Sequence, residues 1–128
     1  LPFTEWTGPA GELLWIGSNA KGNRKLTFQV ARGEDTWMHL RGVPGAHLIL
    51  RMPQRGATPP LPTLLAAARI ALIQGRVAVG DSHEVQYTQV RHVRPIPGEI
   101  ARVRLANEKV LLVEREPTSP EGWLRSET

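Results

Sequence analysis

The chain contains no cysteine, which excludes a disulfide framework and thiolate metal sites. Aromatic residues make up 5% of it, too few for a surface that stacks many bases in a row. Lysine is scarce as well, with three residues, so most of the sixteen cations are arginines. No apolar run approaches the roughly 20 residues that a membrane helix needs, and no secretory signal pattern opens the chain. A cytoplasmic location is therefore the expectation. Catalytic signatures are missing too. There is no Gly-x-Ser-x-Gly elbow, and no close pair of carboxylates flanks a histidine; neither enzymatic activity nor a cofactor is expected. The first residue is Leu1 rather than Met, which reads as a segment of a longer protein.

At 128 residues the chain is long enough to bury a core as one domain without staples. We expect that domain over residues 1–116, with an irregular lead-in at 1–11 and a polar, mobile tail at 117–128. The net charge is +4, and it is unevenly distributed. Between Gly17 and Arg104 stand thirteen basic and five acidic residues, whereas the two ends together hold three basic and seven acidic ones. Arginine's planar fork suits phosphate and stacks on bases, so the basic middle points to a polyanionic partner such as nucleic acid. The same charge also fits an arginine-biased protein with no such partner, and charge alone does not decide.

Local patterns predict an α+β fold, a mostly antiparallel sheet packed on one long apolar helix at about residues 63–75. Glu12 to Ile16 reads as a short strand. Gly17 to Lys25 reads as a glycine-punctuated basic loop whose N–H groups could form a weak anion nest. Leu26 to Val30 alternates with the period of a strand. Four prolines between Met52 and Pro62 break regular structure. Thr63 to Gln74 is the clearest helix, with Thr63 as N-cap and Gly75 as stop. Val77 and Val79, Glu84 to Thr88, Ala101 to Leu105 and Lys109 to Glu114 are strand-like again, and Arg102 and Arg104 share one face.

One stretch stands apart, Asp35 to Arg51, which reads DTWMHLRGVPGAHLILR. Two short strands flank a turn at Gly42, Pro44 and Gly45, and the stretch carries His39, His47, Arg41 and Arg51. A metal site here would need a third ligand from Asp35, His83 or His92; histidines eight residues apart are not a specific signal, and no metal is expected. For nucleic acid, Trp37, His39 and His47 offer ring faces, while Trp37 fits equally well as a core residue. Phosphate contacts could come from Arg41, Arg51, Arg91, Arg94, Arg102 and Arg104, with Lys21, Arg24 and Lys25. With so few aromatics, recognition of structured RNA by backbone or shape fits better than base stacking.

The order of these residues resembles the NFACT-R domain. The resemblance runs from Ile-Gly-x-Asn (Ile16 to Asn19), Asn23 and Leu26-Thr27 to Asp-x-Trp-x-His (Asp35 to His39) and Pro-Gly-x-His (Pro44 to His47). It continues through Arg51, the alanine-rich segment Ala66 to Ala71, and Val-x-Tyr-Thr-x-Val-x-x-Val (Val85 to Val93). It covers about Phe3 to Glu114. Such domains are usually C-terminal in multidomain, fibronectin-binding-labelled proteins that resemble ribosome quality-control factors. The resemblance implies an RNA-binding module whose partners are tRNA, large-subunit rRNA and the obstructed large ribosomal subunit. By analogy Asn19, Asn23, Asp35, Trp37, His39, Pro44, Gly45, His47 and Arg51 form its surface. The family label implies, as an alternative, a protein-interaction or adhesion module; a metal-dependent hydrolase is a remote third. The chain departs from the family at Arg24, where an acidic residue is common, and at Gln74-Gly75, where a serine is common. A role that needs a carboxylate at Arg24 is not expected of it.

Overall fold

A computed structural model describes residues 2–127. Its strands are β1 (Phe3–Thr7), β2 (Leu13–Gly17), β3 (Thr36–Leu40), β4 (Leu48–Arg51), β5 (Ser82–Gln89), β6 (Val93–Pro95), β7 (Val103–Leu105), β8 (Lys109–Glu114) and β9 (Leu124–Arg125). Two helices accompany them, α1 (Ala20–Lys25) and α2 (Leu61–Gln74). Seven strands form an antiparallel sheet in the order β8-β5-β3-β4-β2-β1-β9, and β6 pairs with β7 as a separate ribbon.

Period-two alternation assigns each residue of the central strands to a face. Register aligns Ile16, Leu48 and Met38 on one side, and Trp15, Ile49 and Trp37 on the other. The first face meets α2, where Leu64, Ala67, Ala68, Ile70, Ala71 and Leu72 join Leu14, Met38, Leu50 and Val85 in one core. Each fully buried leucine or isoleucine there contributes roughly 1.5–3 kcal/mol. The second face is covered by the turn after α1 and by the ribbon, through Leu26, Val90 and Val93.

The architecture is α+β, dominated by the antiparallel sheet, but the helical part is divided between two short helices of 6 and 14 residues. No one long apolar helix forms among the described residues. Thr63 is not the N-cap of α2. The helix starts two residues earlier, after Pro60, with Leu61 and Pro62 in its first turn, where proline's missing N–H is no loss. Arg69 leaves the apolar layer at the rim, with its Nε 2.7 Å from a carboxylate oxygen of Glu116.

Four other expectations are corrected. Phe3–Thr7, expected to be irregular, is a strand that buries Trp6 between β2 and β9. The loop expected over Gly17–Lys25 contains α1, because Asn19 caps it by accepting a hydrogen bond from Gly22 N at 2.8 Å. Leu26–Val30 is a π-helical turn and not a strand. It buries the adjacent residues Leu26 and Thr27 together, which a strand, with neighbours on opposite faces, cannot do. Val77 and Val79 lie in a turn region outside any strand. The tail is also ordered differently: Trp123 is buried in the helix-side core, and Leu124–Arg125 pair with β1. Leu1 and Thr128, the outermost residues of the expected lead-in and tail, lie outside the described residues.

Candidate functional site

Alternation places Asp35, Trp37 and His39 in one row on β3 and its approach, and His47, Ile49 and Arg51 in a facing row on β4 and its approach. The stretch therefore has two chemically different ends. At one end Asp35 is buried and accepts from Arg51 Nη2 at 2.7 Å and Nε at 3.1 Å, and from Arg32 N at 2.8 Å. The same guanidinium lies over the Trp15 ring, 4.7 Å from its centroid. Arg51 thus has both its fork and its face engaged inside the protein. A cavity of about 160 Å³ adjoins this end.

At the other end Trp37 and His39 stack with their rings 5.7 Å apart and 8° from parallel, and His47 meets Trp37 edge-on at 5.2 Å. Trp37 is 2% exposed, so it is a core tryptophan and not an open stacking platform. His39 is half-buried. His47 is buried, and Thr27 Oγ1 lies 2.8 Å from its Nδ1. Asn23 ties the loop before β4 to α1: its Oδ1 accepts from His47 N at 3.0 Å and its Nδ2 donates to Gly45 O at 3.3 Å. Burial holds the His47 imidazole down at about 4, helped by His39 nearby. Burial also lowers His39, against opposing hydrogen bonds with the backbone at Leu40 and Gly45. Both rings are therefore neutral at pH 7.

Gly17 is a close-approach position here, since a Cβ would overlap the Asn23 carboxamide oxygen. That oxygen is pinned by the His47 N–H and cannot move freely. Gly17→Ala should therefore destabilise the chain by about 1–3 kcal/mol, as read from a thermal or denaturant midpoint; an unchanged midpoint would show that the bridge is slack.

This end opens into a cleft of about 810 Å³. The end of β2, the start of α1, the Gly42–Ala46 loop, the C-terminal end of α2, Gln86 and the β7 wall all line it. Gln86 faces His39 directly across the β3–β5 pair. Of the residues expected to bind nucleic acid, Asn19, Asn23, Trp37, His39 and His47 converge on this cleft. Asn19 and Asn23 serve as cap and bridge, so the Gly17–Lys25 backbone is not a vacant anion nest.

Of the expected phosphate-contact residues Arg102 also lines the cleft, beside Arg76, and the other basic residues lie elsewhere. Lys21 and Arg24 are exposed on α1, where Lys25 joins them along a second hollow; Arg24 Nη1 reaches Glu99 O at 3.4 Å and its guanidinium lies over Phe28. Arg41 pairs with Glu84 at 3.2 Å on the surface. Arg91 is exposed, its Nε 3.4 Å from Gly33 O. Arg94 stands directly opposite Arg104 in the β6–β7 ribbon. Both are exposed, and among the described residues neither has a carboxylate partner. Gln86 and Thr27 escaped the sequence reading. Gln86 sat in a legible alternation, but its partner across the sheet depends on register. Thr27 was hidden by the misread turn. Among the described residues, no group of three His, Asp or Glu could hold a metal ion, and no helix is long and apolar enough to cross a membrane.

The fold and these motifs define an α+β domain in which Asp-x-Trp-x-His runs along β3 and its approach and Pro-Gly-x-His is the loop that leads into its partner β4, the motif order in which the chain resembles NFACT-R. No family model matches the chain. It is 33% identical to the Rqc2 homolog RqcH of Bacillus subtilis (strain 168) over 85 residues, 66% of the chain and 14% of that protein. It is 26% identical over 102 residues to the Rqc2 homolog RqcH of Streptococcus pneumoniae serotype 2 (strain D39), covering 79% of the chain and 18% of that protein. Its fold matches the C-terminal part of the fibronectin/fibrinogen-binding protein of Streptococcus suis with a TM-score of 0.77 at 21% identity, over 92% of this chain and 46% of that one. The chain is thus homologous to the C-terminal region of RqcH and similar in fold to the C-terminal part of that fibronectin/fibrinogen-binding protein, consistent with an NFACT-R-type domain. It spans less than a fifth of the length of these RqcH relatives.

Proposed function

We propose that the chain is the RNA-binding module of a cytoplasmic, ribosome-associated quality-control factor acting on obstructed large ribosomal subunits. Its ligand is tRNA or large-subunit rRNA, and it holds the phosphate backbone. Homology to RqcH supports the ribosomal setting. The observation that carries the RNA reading is the Arg94–Arg104 pair. Like charges directly opposite each other on paired strands are destabilising, and among the described residues no carboxylate pairs with these two. A phosphate seated between them would turn this repulsion into attraction. Lys21, Arg24 and Lys25 extend the basic surface, because Arg24 touches the turn that joins the two ribbon strands.

Binding of tRNA to the chain, measured against salt, tests this reading. Affinity should fall steeply as salt rises, and Arg94→Ala combined with Arg104→Ala should reduce the slope of log K against log salt by about one to two. No binding at low salt, or an affinity indifferent to salt, rules out phosphate recognition. Arg51 is a poor choice for this test because its guanidinium is committed to Asp35.

A further inference from the structure

The large cleft at the His39 end differs in chemistry from the arginine ribbon beside it. No aspartate or glutamate lines it, and its polar side chains are mostly carboxamides and imidazoles. Asn19 and Asn23 are engaged within the fold. Gln86 is different: it is half-buried, it faces His39, and no hydrogen bond of its carboxamide to another described residue is found. Trp37 also lines the cleft, and its indole N–H is buried with no acceptor among the described residues. Buried polar groups are nearly always paired, so a donor left over beside a cleft calls for a partner that enters it. The volume falls within the roughly 300–1,000 Å³ of ligand clefts.

These groups choose among ligands. A charged ligand would need a countercharge among them, and they are a neutral amide, an indole N–H and an imidazole. A flat heterocycle with donors and acceptors on its edge matches all three. Its face can continue the stack of Trp37 on His39, and its edge can meet Gln86, whose carboxamide presents a donor and an acceptor side by side. Cations stand at the rim: Arg76, and Arg102, which also pairs with Glu99 at 3.2 Å on the surface. One wall is β7, through Val103 and Leu105, while Arg104 between them belongs to the opposite, outer face of the ribbon. A nucleotide strand crossing the ribbon's edge can therefore leave phosphates against Arg102 and Arg104 and turn one base inward.

We propose that this cleft receives a single unstacked nucleobase of the bound RNA, with Gln86 reading its edge and His39 stacking on its face. The inference rests on the RNA reading above and adds to it a site for a base.

The test compares a short single-stranded RNA of mixed sequence with an abasic ribose-phosphate oligomer of the same length, at one salt concentration. The unmodified chain should bind the RNA about 5- to 150-fold more tightly, the range that one stacked base contributes. Gln86→Ala should remove most of that preference while leaving the salt dependence and the melting temperature near those of the unmodified chain; His39→Ala should remove it too, with the salt dependence kept, in a chain that still folds but melts lower for want of the stack on Trp37. Equal binding of the two oligomers by the unmodified chain overturns the base site and leaves phosphate recognition standing. Failure to bind either one overturns both. A preference that survives both substitutions in folded variants places the base elsewhere and overturns the assignment.

Discussion

Asp35→Ala is expected to destabilise the chain by about 3–5 kcal/mol, the usual result of removing one partner from a buried ion pair. Asp35 is 3% exposed and Arg51 19% exposed at the side chain, so the guanidinium left behind has little water to replace the carboxylate. The loss goes beyond one pair, since the carboxylate also accepts from Arg32 N and fixes the turn that leads into β3. Denaturant unfolding should show a lower midpoint with an unchanged slope. Arg41→Ala is the matched control: its pair with Glu84 is about half exposed on both sides and should change stability by less than about 1 kcal/mol. A folded Asp35→Ala protein of normal stability that no longer binds tRNA would place Asp35 at the interface and refute its structural role.

The second large effect is in pH. His47 is held at about 4 in the folded chain, from an ordinary value of 6.5, first by burial and then by the neighbouring His39. The unfolded chain takes up a proton below 6.5 that the folded chain refuses until about 4. Stability is therefore full above that window and falls as pH drops through it, by on the order of 3 kcal/mol. His39, lowered in the same direction, adds to the fall. Measured unfolding free energies should decline from pH 7 to pH 4, and His47→Gln, which cannot titrate, should flatten much of the decline. A wild-type curve level across that range would show that the imidazole is solvated. Binding of tRNA is a separate readout, because protonated histidines would strengthen phosphate attraction while the fold weakens.

Several strands were legible in the sequence, Glu84–Thr88 by clean alternation and Trp37–Leu40 and Lys109–Glu114 as short runs bounded by turn residues. All three fall within observed strands. The alanine-rich segment was legible as a helix, although Pro60 and Pro62 hid its start. Leu26–Val30 misled because its apolar residues recur with period two, whereas the Asn19 cap starts a helix that runs directly into the π turn. The tail misled by composition: Trp123 anchors it to the core, Pro120 is buried as well, and its strand exists only because β1 offers an unpaired edge. For the site, the Asp35–Arg51 stretch was identifiable by its residue types. Its division into an ion pair at one end and an imidazole cluster at the other required the β3–β4 register, and so did the pairing of His39 with Gln86. Charge density drew attention to Arg51, although its fork is engaged internally, while the opposed Arg94 and Arg104 emerged only from the ribbon's alignment.

The two-faced central sheet has a consequence for how substitutions combine. Leu14, Met38 and Leu50 face α2, while Trp15, Trp37 and Ile49 face away from it. Pairs of changes taken from opposite sides and more than about 7–10 Å apart should have free energies that sum to within about 0.3–0.5 kcal/mol. Pairs within the Asn23, Thr27 and His47 group share hydrogen bonds and should deviate from additivity. The sheet thereby acts as a thermodynamic insulator, keeping the energetics of the cleft side apart from those of the helix-packed side.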